Sequence, residues 1–526
     1  MRVKNSLLNI TAGLGNQLII TILSFASRTI FINSLGLEYL GVNALFTSIL
    51  AMLSLAEAGI GASIVYNLYK PIADNDQPKI MALMNLYRKA YLIIAAVVMT
   101  LGLALLPFLG LFIKDTNVEN ITLIYLVFLF NTAVPYLFVY KHSYLNVNQK
   151  NYIVTAVFSV STIISTLIKI AILYYTENYI LYLVVESAIA ITTSIILAGI
   201  VDRMFPFLKQ KIVEKLDQET KQKFIKNMKA ILLQNMGNYL IFGVESILIS
   251  ALVSVVAVGI YSNYKMLIDI CRTFVNQVFS NMYHSVGNLI AKENAEQIYH
   301  IYKVTMLLNF WLYSLIAISL NLLISPLIEL WVGSEFLMGQ FTLVVVIIAF
   351  YERGMRNSIS MVKVTAGIFH EDRFAPLIQG TLSLGISLIL VHYIGITGVF
   401  IGTIISALLV LFWTTPYLVY KKVFHQPLRL YYQRYGLYTG IGIATYLITY
   451  LANSVIPSSN FGWLFLKAVV CLLIVNLTYI LIFHKTEEYK YLLGIVIGIT
   501  NKFPRLQLIT QKLFNRNRNL EIGGNK

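Results

Sequence analysis

Apolar runs of roughly 20 residues recur from one end of the chain to the other, broken by short polar stretches, and each is long enough to cross a hydrocarbon core of about 30 Å as a helix. The pattern predicts about fourteen spans, at 9–33, 40–66, 90–113, 121–140, 153–175, 179–200, 230–250, 257–288, 304–327, 338–361, 375–392, 396–419, 436–453 and 462–483. A closed barrel also satisfies its backbone in lipid, but its strands alternate over about ten residues and do not run apolar for this length. The first run follows Arg2 and Lys4 as a signal peptide would. It is long, contains Arg28 and precedes many further runs, so it is expected to be retained.

Composition agrees: 58% of the 526 residues are hydrophobic and 12% charged, with a mean hydropathy of +0.73, outside the range of soluble domains. The two cysteines, Cys271 and Cys471, both fall inside spans. They form no metal-ligand spacing and read as small packing residues. No H-E-x-x-H, nucleophile elbow or phosphate-binding loop is present, so neither an enzymatic site, a cofactor nor a metal is expected. The glycines of "GITGVFIGT" (395–403) sit at a span start and suit close helix packing.

A net charge of +16 raises the question of nucleic acid, but its placement answers otherwise. Of the 40 Lys and Arg, 32 fall in the N-terminus, the even-numbered loops and the tail, seven lie inside spans, and Lys114 alone is in an odd-numbered loop. The positive-inside rule then puts both termini and the even loops in the cytoplasm, in a multi-pass protein of the cell membrane. The basic loops meet anionic membrane lipids, and no nucleic-acid partner is needed.

The longest cytoplasmic connection carries eight Lys/Arg and separates six spans from the rest. On either side of it a weak echo recurs: "GNQLII" from Gly15 and "GNYLIF" from Gly237, then "YLGVNALFTSIL" (39–50) and "AVGIYSNYKMLI" (257–268). The expected architecture is an all-α membrane protein with two six-helix lobes around a central cavity plus two extra C-terminal helices. Its divisions are 1–205, a basic linker 206–229, 230–434, 435–484, and a basic amphipathic cytoplasmic tail 485–526.

Twelve ionisable residues lie within the spans: Arg28, Lys169, Lys265, Arg272, Arg353, Arg356 and Lys467 against Glu57, Glu186, Glu245, Asp269 and Glu352. Each costs a few kcal/mol to insert and is expected to face the bundle interior. Lys169 and Glu186 lie at matching depths on helices joined by a short turn, Glu352 reaches Arg356 at i,i+4, and Lys467 can snorkel to the outer surface. These read as structural. Lys265, Asp269 and Arg272 share one face of span 8 with positive charge to spare, and Arg28 has no acid on its own helix. Seven cations against five anions leave a surplus that an anionic guest would balance, and guanidinium grips phosphate bidentately. Glu57 or Asp269 is the expected group for coupling to H+ or Na+.

The Arg28-containing helix followed by "LGLEYLGVNALFTSILAML" (35–53), the segment "AEAGIGASIVYNLYKPIADNDQPKIMALMNLYRKAY" (56–91) and "GVFIGTIIS" (398–406) resemble the capsule and O-antigen type polysaccharide flippases of the multidrug/oligosaccharidyl-lipid/polysaccharide exporter superfamily. The resemblance implies a two-lobed transporter that carries polyprenyl-diphosphate-linked oligosaccharide from the cytoplasmic to the outer leaflet by alternating access. It also implies that intramembrane cations receive the diphosphate or acidic sugars: here Arg28, Lys265 and Arg272, with Arg353 and Arg356 behind them. Two other readings stand beside it. A multidrug or cation antiporter of the same superfamily would carry a predominantly acidic cavity, and a membrane glycosyltransferase or polymerase would carry a long outer loop or a carboxylate cluster.

Overall fold

The computed structural model describes residues 2–500, apart from 56, 58–66, 114–115, 149, 211–217, 219–221, 223–234, 238, 242 and 369–370. Most of the expected linker, Lys114, much of span 7 and the tail beyond Thr500 therefore lie outside the described residues, as do the side chains before Ile19.

Every regular element among the described residues is helical. Nine helical stretches among them are long and apolar enough to cross a membrane unaided. In order, the longer helices are α1 (Arg2–Leu53), α2 (Gln77–Leu105), α3 (Ile121–Ala133), α4 (Tyr136–Val147), α5 (Asn151–Thr176), α6 (Tyr179–Met204), α7 (Glu245–Leu252), α8 (Val255–Lys292), α9 (Ala295–Val332), α10 (Gln340–Met355), α11 (Asn357–Thr365), α12 (Ala375–Ile394), α13 (Ile396–Leu409), α14 (Leu411–Val419), α15 (Arg429–Ser454), α16 (Phe461–Phe483) and α17 (Glu487–Thr500). The fold is that of an all-α membrane protein.

Several boundaries differ from the hydropathy pattern, each for a local reason. Spans 1 and 2 run on as α1, interrupted only at Gly36, whose φ of 81° is open to glycine and strained for other residues. Span 4 divides into α3 and α4 around Pro135, which has no N–H to continue the ladder. Span 10 divides into α10 and α11 at Arg356. In contrast, α2 begins well before the apolar run, because the Asp76 side chain accepts from the Lys79 N–H at 3.0 Å and Pro78 occupies the first turn.

The chain divides into two compact units. The first comprises Met1–Ile270, Trp331–Val345 and Arg373–Leu411. Within it α1 packs on α5, and Phe31 of α1 lies edge-on to Tyr179 and Tyr182 of α6 at 5.6 and 5.7 Å. The glycines of "GITGVFIG" bring α12 and α13 together: a Cβ on Gly398 would lie 2.5 Å from the Leu390 backbone, and one on Gly402 would strike Ser387.

The second unit comprises Cys271–Leu330, Val346–Asp372 and Phe412–Lys526. Here the two additional helices α15 and α16 dock on α9 through polar contacts buried among aromatics. Tyr479 donates to Ser314 at 2.8 Å, Trp311 Nε1 to Asn476 at 2.9 Å, and Phe310 stacks on Tyr438 at 4.9 Å. The Tyr479 hydroxyl and the Trp311 indole thus both find partners, as groups in a low-dielectric interior favour.

Candidate functional site

The two segments that echo each other in sequence meet in space. Gly41 of α1 sits so close to α8 that a Cβ there would enter the Val255 carbonyl, and a Cβ on Gly259 of α8 would lie 2.6 Å from the Leu37 carbonyl oxygen. Val255 precedes Gly259 by four residues and Leu37 precedes Gly41 by four, so each helix presents the same turn to the other. This reciprocity is the signature of a two-fold contact between equivalent elements. Only glycine permits so close a crossing.

Arg28 lies on α1 beside this crossing. Its Nε donates to Asn263 Oδ1 at 2.9 Å and its Nη2 to Ser262 Oγ, both on α8. Ser262 in turn donates to the Gly259 carbonyl at 2.7 Å. Among the described residues the guanidinium is thus held by neutral side chains alone, and the fully buried Asn263 keeps its Nδ2 without a partner. The next residue, Thr29, accepts from Trp331 Nε1 at 2.6 Å, and Phe25 leans on the same indole at 5.0 Å. A charge at membrane depth without a counter-ion is electrostatically incomplete.

The other expected cations differ. Lys265 faces Asp269 at 3.4 Å, with the side chains 39% and 40% exposed, so this pair is solvated and weak. Arg272 and Arg353 both lie within electrostatic reach of Tyr313 in the second unit. Arg356 is closed into a two-pronged bond with Glu352, at 2.7 and 3.0 Å, both side chains buried. Asn309 steadies that turn by donating to the Gly354 and Met355 carbonyls at 2.9 and 3.2 Å. Glu57 accepts a hydrogen bond from Tyr136.

The pairs expected to be structural are present. Lys169 meets Glu186 at 2.7 Å, and Lys467 donates to Ser458 in the neighbouring loop at 2.6 Å. Glu245 accepts from Tyr261 at 2.7 Å. α1 touches α7, but it is α8 that supplies the Arg28 partners. Ser262 and Asn263 were missed although "YSNYK" places them as a polar pair inside an apolar span, within the echo itself. That was the available signal.

No family model and no curated protein matches the sequence. Among solved structures, the lipid II flippase MurJ in an inward closed conformation matches with a TM-score of 0.64 at 15% identity, over 89% of this chain and 98% of that one. The Vibrio cholerae MATE transporter VcmN in its bent form matches at 0.52 and 16% identity, over 78% and 94% of the two chains. An inward-facing multidrug resistance MATE transporter of the MOP superfamily matches at 0.52 and 14% identity, over 75% and 93%. The chain has the fold of that superfamily. The solved structures it resembles in fold are a flippase and transporters.

Proposed function

We propose that the protein is a lipid-linked oligosaccharide flippase that moves polyprenyl-diphosphate-linked repeat units from the cytoplasmic to the outer leaflet by alternating access, for cell-surface polysaccharide synthesis. The observation that carries this reading is Arg28, a guanidinium at membrane depth that has only neutral partners among the described residues. A diphosphate offers it planar, charge-assisted, bidentate bonds stronger than those it makes to Asn263 and Ser262. Lys265, Arg272 and Arg353 are the further cationic candidates for the anionic part of the substrate. Arg356 contributes least because Glu352 already neutralises it. The two lobes are taken as 1–205 and 230–434, with both termini cytoplasmic.

A second reading, export of a cationic drug against an ion gradient, draws on the likeness to the MATE transporters and on the carboxyl of Glu57 beside Tyr136. In that case Glu57, or Asp269 beside Lys265, exchanges H+ or Na+ with the drug.

The deciding experiment measures surface polysaccharide, drug susceptibility and protein level together in Arg28→Ala, Arg28→Lys, Arg272→Ala, Asp269→Asn/Arg272→Ala and Glu57→Gln strains. A flippase loses polysaccharide in both Arg28 variants at unchanged protein level, with lysine the milder because it cannot chelate phosphate. Normal polysaccharide in Arg28→Ala together with drug sensitivity in Glu57→Gln establishes the antiporter instead.

A further inference from the structure

Inside the first unit, α4, α5 and α6 enclose a cavity of about 270 Å³ that lies apart from Arg28 and its partners. Its walls are polar for their depth. Thr162, Ser165 and Thr166 stand in helical register on α5 below Lys169, Glu186 faces them from α6, and His142 from α4. On α6, Ser187, Thr192 and the cavity-lining Thr193 and Ser194 satisfy themselves by donating to the carbonyl four residues back. The exposed Thr162 and the half-buried Ser165 and Thr166 make no such bond among the described residues, and they line the cavity. His142 is 7% exposed, lies edge-on to Phe158 at 5.9 Å, and leaves its Nε2 without a partner. Polar groups left bare at this depth cost free energy unless something occupies the space between them.

We propose that this cavity is a proton-binding site, filled by water along the α5 hydroxyls, in which His142 Nε2 takes up the proton and the Lys169–Glu186 pair sets the field around it. The step is a single transfer: the imidazole lone pair accepts H+ from a hydronium ion, which leaves as water, and no other bond changes. Imidazole is the one lining group that ordinarily changes charge between pH 5 and 8. On α2 the buried Tyr91 bonds Ser143, the residue after His142, with Glu57 within electrostatic reach of Tyr91, and Arg88 lies within electrostatic reach of Tyr140 on α4. On α4 itself Lys141 is held by Asp202 of α6 at 2.7 Å, and Lys169 of α5, over the Tyr182 ring, is held by Glu186 at 2.7 Å. Both lysines are thus balanced, so a proton on His142 adds net positive charge to the interior. Glu186, more open than its lysine at 33% against 13% exposed, is the carboxylate able to answer it.

The site does not depend on what the protein carries, and its test needs no transport. With ¹⁵N-histidine in the full-length protein in lipid nanodiscs, one imidazole signal, missing from His142→Gln, is expected to titrate reversibly between pH 5 and 8. Glu186→Gln removes the stabilising carboxylate and lowers the proton affinity at least about threefold. Ser165→Val, which leaves every charge in place, lowers it in the same direction by drying the cavity. A His142 signal that stays neutral across the range, or one that titrates identically in wild type, Glu186→Gln and Ser165→Val, overturns the proposal.

Discussion

Two intramembrane arginines show how much a partner decides. Arg356 bonds Glu352 with both prongs inside the second unit and is buried there, so its charge is cancelled where it stands. Arg28, in the first unit, is held across a helix crossing by an amide and a hydroxyl. A charge cancelled within one turn of its own helix stabilises that turn and offers nothing to a ligand. One held only by dipoles keeps most of its field, and the cost of burying it becomes binding energy once an anion arrives.

The contrast breaks most visibly in stability. Glu352→Ala strands the buried guanidinium of Arg356 and is expected to cost about 3–5 kcal/mol, depleting folded protein, while Glu352→Leu/Arg356→Met recovers most of it. Gly259→Val forces a side chain into the Leu37 carbonyl and is expected to cost about 1–3 kcal/mol by prising α1 from α8. Arg28→Ala loses two hydrogen bonds but leaves no buried charge, so about 1–2 kcal/mol is expected. Asp269→Asn, in a pair that water already screens, should change stability by less than about 1 kcal/mol. Melting temperatures of the purified proteins in one detergent rank these four. A melt for Arg28→Ala as low as that for Glu352→Ala would mean that Arg28 has a hidden structural role.

What the sequence made legible was whatever depends on near neighbours. Helical spans follow from run length, the Glu352–Arg356 bond from i,i+4 spacing, the Lys169–Glu186 pair from equal depth across a short turn, and the α12–α13 packing from Gly398 and Gly402. What escaped depends on contacts between residues far apart in the chain. Nothing local says that Arg28 meets Ser262 and Asn263, more than 230 residues away, although the echo between 39–50 and 257–268 marks the very segments that cross. Breaks inside long apolar runs also escaped, because hydropathy does not register a helix that turns at Arg356 or Pro135 and stays apolar.

A third arginine sharpens the comparison, with the smallest effect and a sign that can be worked out. Arg434 donates to Glu488 of α17 at 2.8 Å, with Lys303 of α9 at 4.0 Å from the same carboxylate. Burial alone would push the Glu488 carboxyl up, but the bond from Arg434, with Lys303 adding to it, holds it below the ordinary range. Because the folded carboxyl is the stronger acid, the pair stabilises the fold above the ordinary glutamate value of about 4.3, and that contribution is lost as pH falls through the depressed folded value. Glu488→Gln should therefore melt below wild type at pH 7, and the two should converge as the pH is lowered beneath 4.3 or so. Glu352→Gln, with its partner buried and no water to replace it, should lie further below wild type than Glu488→Gln at pH 7. Parallel melting curves for Glu488→Gln and wild type at every pH would mean that the Arg434 bond does not form in solution, and that α17 is held by its other contacts, such as Tyr489 stacked on Trp311 and Tyr491 edge-on to His300 of α9.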